Sequence, residues 1–249
     1  MQSAVKAALL DHLHRSPPGK ILDFPAGTAW LRDALGPQGW EYHAADLFTR
    51  PKVSNFRTAN LNERFPYGQR EFDYVACLEG IEHAENYHHV LRECHRVLRP
   101  GGTLLLSTPN PLNVKSRRRY YYRGTFNGFP HLFHMPAEGE HLHVSPINLS
   151  MLIAFAGKYG FEFDKLHRLP IRPTMLRFAP QALVVRLYTY LKYRLKPHRQ
   201  RQWMQRLASW RVLLCDGMLL SFRKPAAECE TARRSAPGPA DRAATLDAA

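Results

Sequence analysis

Three groups of residues in this chain are of types that do chemistry together. Asp23 closes an apolar run, KILDFP (20–25), and one glycine, Gly27, follows in a short turn before a helical stretch. Asp46 closes a second apolar run about 20 residues further on, the distance at which a carboxylate accepts hydrogen bonds from both hydroxyls of a bound ribose. Glu82 and His83 lie just beyond a further apolar run, EFDYVACL (71–78), and an imidazole that titrates near neutrality can take a proton from a substrate. The turn Pro25-Ala26-Gly27-Thr28-Ala29 lacks the G-x-G-x-x-G spacing that lets helix amides cradle a pyrophosphate. A cofactor with a ribose and no phosphate therefore fits better than a dinucleotide. Gly27 permits close backbone approach and a positive φ, and the Asp23 carboxylate can hold loop amides or a ligand's positive group.

A fourth group is the stretch HLFHMPAEGEHLHV (131–144), with His131, His134, His141, His143, Glu138 and Glu140. Its H-x-x-H and H-x-H spacings occur in metal sites, yet spacing alone does not make one, and no metal is expected. The stretch is too long for a simple connection and reads as part of a lid-like loop over 111–146. His141 and His143, nearest the following helix, are candidates for lining an acceptor pocket.

The elements that must position these groups alternate along the chain. An amphipathic helix over 4–14 precedes a strand at 20–25 and a helix from Thr28 to Leu35, closed by Gly36-Pro37. Strands follow at 41–47, 53–61 and 71–78, then a helix from Asn86 to Leu98, the stop Arg99-Pro100-Gly101-Gly102, and a strand at 103–108. A helix at 148–159, a strand at 161–168, two basic helices and a last strand at 218–224 complete the pattern. Strands separated by helices predict an α/β fold, a doubly wound and mostly parallel sheet with helices on both faces. Residues 1–224 form one domain, with a basic helical insertion at 169–215, and 225–249 read as a disordered tail rich in Ala, Pro and charge.

The sequence of 249 residues, 45% hydrophobic, can bury one full core. No run approaches the roughly 18 apolar residues that cross a bilayer, and Asp11 and His12 sit where a signal peptide needs its apolar stretch. Cys77, Cys94, Cys215 and Cys229 form no CxxC pair, which excludes a Cys-rich zinc site and fits reduced thiols in a cytoplasm. The net charge of +14 is local: 12 Lys/Arg and no acid lie between Lys165 and Cys215, and five more between Lys115 and Arg123. Localised positive charge calls for an anionic partner.

The blocks ILDFPAGTAWL, YHAADLF, FDYVACLEGIEH and LRECHRVLRPGGTLLLSTPN, in that order, resemble the class I S-adenosylmethionine-dependent methyltransferases. The nearest branch is the bacterial one acting on small molecules, quinones and cell-surface glycans. The resemblance runs through residues 18–168 and the closing strand. It implies a seven-stranded sheet whose last strand enters antiparallel, with S-adenosyl-L-methionine as cofactor. It also implies that Asp23 and Gly27 surround the methionine part, Asp46 binds the ribose and Leu47 packs on adenine. Asn60 would read the adenine amino group, and Leu78-Glu79 would lie beneath the sulfonium. Pro25 and Ala29 stand where many relatives have glycine.

A sulfonium is already an activated methyl donor, so such an enzyme mainly aligns the nucleophile and excludes water. A hydroxyl acceptor also needs its proton removed, and His83, with Glu82, is the candidate base for O-methylation of a small or lipid-linked acceptor. Apolar stripes flanked by Lys and Arg over 181–214 suit an anionic membrane surface, giving a cytoplasmic enzyme peripheral at the inner face. The plainer expectation is that those stripes are ordinary core beneath a helical cap. KSRRRYYYR (115–123) could grip nucleic acid, but the chain has no recognisable nucleic-acid module. The alternatives at this level are an inactive methyltransferase-like scaffold and a nucleic-acid methyltransferase.

Overall fold

In a computed structural model, residues 3–129, 131, 133–134 and 142–226 are described. The tail beyond 226, with Cys229, and His141, Glu138 and Glu140 lie outside the described residues.

Seven strands form one sheet in the order β3-β2-β1-β4-β5-β7-β6. They are β1 (Lys20–Asp23), β2 (Glu41–Asp46), β3 (Phe56–Thr58), β4 (Phe72–Leu78), β5 (Leu98–Pro109), β6 (Glu162–Leu166) and β7 (Gly217–Arg223). β1 to β5 pair in parallel, and β7 runs antiparallel to both of its neighbours. The expected doubly wound sheet with an antiparallel last strand is what the chain forms.

The sheet is buried on both faces, and period-two alternation decides which side chain goes where. Val75 and Cys77 of β4 enter one core with Leu22, Leu104 and Leu106. Tyr74, Ala76 and Leu78 enter the other with Ile21, Leu105 and Leu219. Helix α1 (Ser3–His14) covers the second face with Val5, Leu9 and Leu13, beside α2 (Trp30–Leu35). Helices α3 (Tyr87–Val97) and α5 (Leu149–Lys158) cover the first, and asparagine side chains cap both: Asn86 accepts from the amides of His88 and His89, Asn148 from that of Ser150.

Three elements differ from the sequence reading, the first being β5, which starts at Leu98 and runs through the expected stop Arg99–Gly102 because Leu98 already pairs with Phe72 of β4. The region 111–146 is not irregular throughout, because α4 occupies Val114–Arg123, with Asn113 accepting from the Ser116 amide at 2.7 Å. Its dense charge hides the helical period; only Val114 and Ser116 are buried. The basic insertion holds three helices and not two: α6 (Ala179–Tyr193), α7 (His198–Leu207) and the short α8 (Trp210–Leu214), preceded by a 3-10 turn at Pro173–Phe178. Val114, Met175, Phe178, Ala182, Leu213 and Leu214 join α4 to this insertion in a small core of its own. Among the described residues, no helix is long and apolar enough to cross a membrane.

Candidate functional site

Sheet order reverses between β1 and β4, and there the carboxyl ends of β1, β2 and β4 leave a cavity of about 560 Å³. Such a switch point is where a doubly wound sheet holds ligands. Gly27, Asp46, Leu47, Asn60, Leu78, Glu79 and His83 all line it. A second hollow of about 510 Å³ lies at the opposite, amino end of the strands, around Pro17, Asp73, Arg99 and Arg223. It contains none of the candidate catalytic or cofactor-binding residues, and its acids are engaged, as in the Arg99–Asp73 ion pair at 3.0 Å.

The first wall is the turn after β1. The Phe24 amide donates to the Ala76 carbonyl of β4 and the Ala26 amide to the Ala45 carbonyl of β2, which stretches the turn across three strands. Gly27 has φ +54°, and a Cβ there would meet nothing within 4 Å, so glycine serves both the left-handed backbone and the open floor. Asp46 is 5% exposed and ties this turn to its own. Its Oδ2 accepts from the Gly27 amide at 2.9 Å, and its Oδ1 accepts from Phe48 at 2.9 Å and Thr49 at 2.8 Å. With two acceptor positions per oxygen, three are filled, leaving room on Oδ2 for one ribose hydroxyl and not for both. Asn60 accepts from the Asn62 amide through Oδ1, which fixes the amide's orientation at the far wall.

Asp23 departs from the expectation. It is 1% exposed, is absent from the cavity wall, and accepts from the Tyr42 hydroxyl at 2.7 Å instead of holding loop amides or a ligand. Strand alternation turns it into the layer beneath the site. Burial pushes its carboxyl up to about 7; the Tyr42 hydrogen bond opposes this and the Asp46 charge adds to it. Between its ordinary value of 3.8 and about 7, the folded chain thus holds a proton that the unfolded chain has released. This contribution to stability therefore falls as pH rises through that window and is level above it. Asp23→Asn keeps an oxygen for Tyr42 and is expected to flatten that slope in urea unfolding followed across the window. An unchanged slope would refute the assignment.

The second wall comes from β4. Glu79 adopts φ +48°, a left-handed conformation uncommon for a side-chain-bearing residue and characteristic of strained functional turns. Ser107 holds it: the Glu79 amide donates to the Ser107 carbonyl at 3.1 Å and Oγ at 3.0 Å, and that hydroxyl donates to the Glu79 carboxylate at 3.2 Å. Burial raises the Glu79 carboxyl above its usual range, so a cationic ligand would find an acid poised to ionise beside it. Gly80 lets the turn close, since a Cβ there would meet the Pro25 ring, with Cγ at 2.8 Å, and Leu61 at 3.3 Å. Pro25 follows a cis peptide and is accommodated by that glycine, while Ala29 takes φ +58° at the start of α2 with its methyl buried.

A 3-10 turn at Ile81–His83 then carries Glu82 and His83. The returning segment 142–145 docks on it through four hydrogen bonds. Val144 and Ser145 amides donate to the Glu82 carbonyl at 2.9 and 3.0 Å, the Ser145 hydroxyl to the Ala84 carbonyl at 3.0 Å, and His83 Nδ1 to the Leu142 carbonyl at 2.8 Å. A proton on Nδ1 leaves the basic lone pair on Nε2, the tautomer that suits proton abstraction. Glu82 is fully buried, and among the described residues neither carboxylate oxygen has a partner at full hydrogen-bond geometry, the Thr108 hydroxyl being the nearest to one. Burial pushes it up to about 8, with the Glu79 charge adding. His143 packs edge-on to His83 with ring centroids 4.7 Å apart, and burial lowers its pKa. It backs His83 and does not line the cavity. Ligand atoms of Glu82, His83 and His143 lie within 4.8 Å of one another. One carboxylate and two imidazoles could hold a divalent cation, an arrangement that spacing alone did not expose.

Sequence reasoning missed Lys6 and Trp30 on the cavity wall, with the Lys6 ammonium 4.4 Å from the Trp30 ring centroid. It also missed Leu142 and Val144. No spacing marks these residues: Trp30 opens the helix after the Gly27 turn, while Lys6, Leu142 and Val144 come from distant chain segments.

The methyltransferase domain family model matches residues 1–166. A ubiquinone biosynthesis O-methyltransferase of Dechloromonas aromatica is 26% identical over 172 residues, covering 64% of this chain and 72% of its own. One of Pseudomonas aeruginosa is 27% identical over 166 residues, covering 62% and 69%. Among solved structures, an S-adenosylmethionine-dependent methyltransferase from Mesorhizobium loti superposes with TM-score 0.54 at 13% identity, covering 89% of this chain and 98% of its own. Burkholderia thailandensis 1,6-didemethyltoxoflavin-N1-methyltransferase, solved with S-adenosylhomocysteine bound, gives 0.52 at 16%, covering 90% and 79%. With two thirds of its length matched by the family model and the fold shared throughout, this chain belongs to the methyltransferase domain family and is a class I S-adenosylmethionine-dependent methyltransferase.

Proposed function

We propose that the chain transfers the methyl group of S-adenosylmethionine to an oxygen of a small or lipid-linked acceptor, with His83 as the base. The observation that carries this reading is His83 on the cavity wall beside Leu78–Gly80, its Nδ1 committed to the Leu142 carbonyl. When bound, S-adenosylmethionine would supply an activated methyl group, and an acceptor hydroxyl aligned to take that methyl would give its proton to His83 Nε2. Asp46 and Asn60 would hold the nucleoside, Glu79 would balance the positive charge, and the segment 142–145 would keep water out. Alignment of this kind supplies about 7–11 kcal/mol of the barrier. The relatives' names, O-methyltransferases of ubiquinone biosynthesis, favour a hydroxylated aromatic acceptor carrying an apolar tail, met by a peripheral enzyme at the inner face of the membrane.

The test is incubation with methyl-tritiated S-adenosylmethionine and a panel of catechols with and without prenyl tails, a glycan, a peptide and RNA. Label on the catechol oxygen is the expected result. Label confined to RNA, to nitrogen or to carbon would sink the reading, as would S-adenosylmethionine binding with no transfer to any acceptor.

A further inference from the structure

We propose that α6, together with the exposed end of α4, is a docking surface for an anionic lipid membrane. The inference rests on the lipid-linked reading of the acceptor for its purpose, though not for its test. Helix α6 has two apolar faces where one is enough to hold it. Ala182, Val185 and Thr189, at i, i+3 and i+7, turn inward, and Ala182 joins the insertion's small core. On the opposite side, Leu183, Leu187 and Leu191 recur every fourth residue at 56%, 55% and 50% exposure, continued by Leu195 at 89% just past the helix end. Val184 and Tyr188 widen the stripe, at 67% and 58% exposed. For α6 the plainer expectation of ordinary core is therefore overturned, since the core takes the small residues and leaves the leucines outside; in the second stripe, on α7 and α8, it holds for Leu207 and Leu214, which pack into core.

The surroundings state what the stripe meets. Lys192, Arg194, Lys196 and Arg199 ring its carboxyl end and are exposed. No acid occurs between Lys165 and Cys215. On α4 the Arg118 guanidinium lies 5.2 Å from the Phe178 ring at the start of α6. One turn further along the same helix, Tyr121 and Tyr122 are 82% and 75% exposed. Leucines between cations, with tyrosines at the margin, match an element lying in the headgroup region, its apolar side sunk and its cations on phosphates.

Other occupants fit less well. A second copy would bring the same uncompensated positive face against this one. RNA would use the cations and leave four leucines in water. Residues 227–249 contain a single large aliphatic, Leu246, to set against the stripe. The position also serves the site. Strand β5 runs parallel to β4, so α4 leaves the sheet on its carboxyl edge, where the cavity opens. The chain beyond α4 reaches Phe129, which packs on His143 with centroids 5.4 Å apart. A lipid-borne acceptor would thus arrive beside His83.

The test is flotation of the full chain with phosphatidylcholine vesicles, with and without phosphatidylglycerol, at low and high salt. We expect binding at least about tenfold tighter to the anionic vesicles, reduced but not erased by salt. We expect the double variant Leu187→Glu with Leu191→Glu to lose at least about tenfold in that binding. Both positions are half exposed, so its unfolding temperature and S-adenosylhomocysteine affinity should match the parent's. Equal binding by variant and parent, complete loss of parent binding in salt, or no anionic preference would each overturn the proposal. So would parent dimers that the variant dissolves without any vesicle binding. None of these outcomes touches the methyl-transfer reading, because the measurement uses no acceptor and cofactor affinity is read separately.

Discussion

Asp46→Ala is expected to raise the dissociation constant for S-adenosylhomocysteine by about 100-fold or more in calorimetric titration and to lower the unfolding temperature by roughly 6–12 °C. The two effects share one cause. The Asp46 carboxylate accepts three backbone amides, from Gly27, Phe48 and Thr49, at 2.8–2.9 Å. Hydrogen bonds to a charged group contribute about 1.5–3 kcal/mol each, and an amide left without its partner costs more than the bond was worth. Alanine would release the turn after β1 and the turn after β2 together, so the cavity would lose its shape as well as the proposed ribose acceptor. About 3 kcal/mol of lost stability corresponds to the stated shift for a chain of this length, at roughly 2–4 °C per kcal/mol. Asp46→Asn, which keeps one acceptor oxygen and turns a donor on the amides, should fall between the two. If affinity and unfolding temperature both survive Asp46→Ala, the carboxylate is not the post that joins the two turns.

If His83 is the base as proposed, His83→Gln is expected to slow methyl transfer by about 10²–10⁴-fold, the usual contribution of a positioned base, with S-adenosylhomocysteine bound as before. The glutamine amide can still donate to the Leu142 carbonyl, so segment 142–145 stays docked and the cofactor cavity keeps its wall. What disappears is the basic nitrogen. The limb of the rate–pH profile that reports deprotonation of the base should vanish with it, an effect that a merely structural role would not produce. A variant with near-parent rate, or one with reduced rate and an unchanged profile, would move the proton to another group. Glu82 is the first to consider, since its buried carboxyl, pushed up to about 8, is next along the chain.

The sequence carried the fold to an unusual depth for local physical reasons. A parallel sheet buried on both faces writes its strands as continuous apolar runs, and the turn residues between them mark where each stops. Gly27 and Asp46 were legible because a close-approach glycine and a strand-end acid fill positions that few other residues can. Helix α4 was not legible, because its run of cations has no apolar period and only Asn113 and two buried side chains define it.

The sequence by itself determined the order of the strands' roles, the cofactor edge of the sheet and the concentration of positive charge in two segments. These are properties of single strands, single turns and composition. Tertiary structure alone decided that Asp23 lies beneath the site against Tyr42 and that His143 backs His83. It also decided that segment 142–145 closes on the Glu82 turn and that the leucines of α6 face outward. The physical reason is the same in each case. A periodic stripe says that a face is apolar but not which of two faces finds a neighbour, and a histidine in a loop acquires a role only from the side chains that distant segments bring beside it.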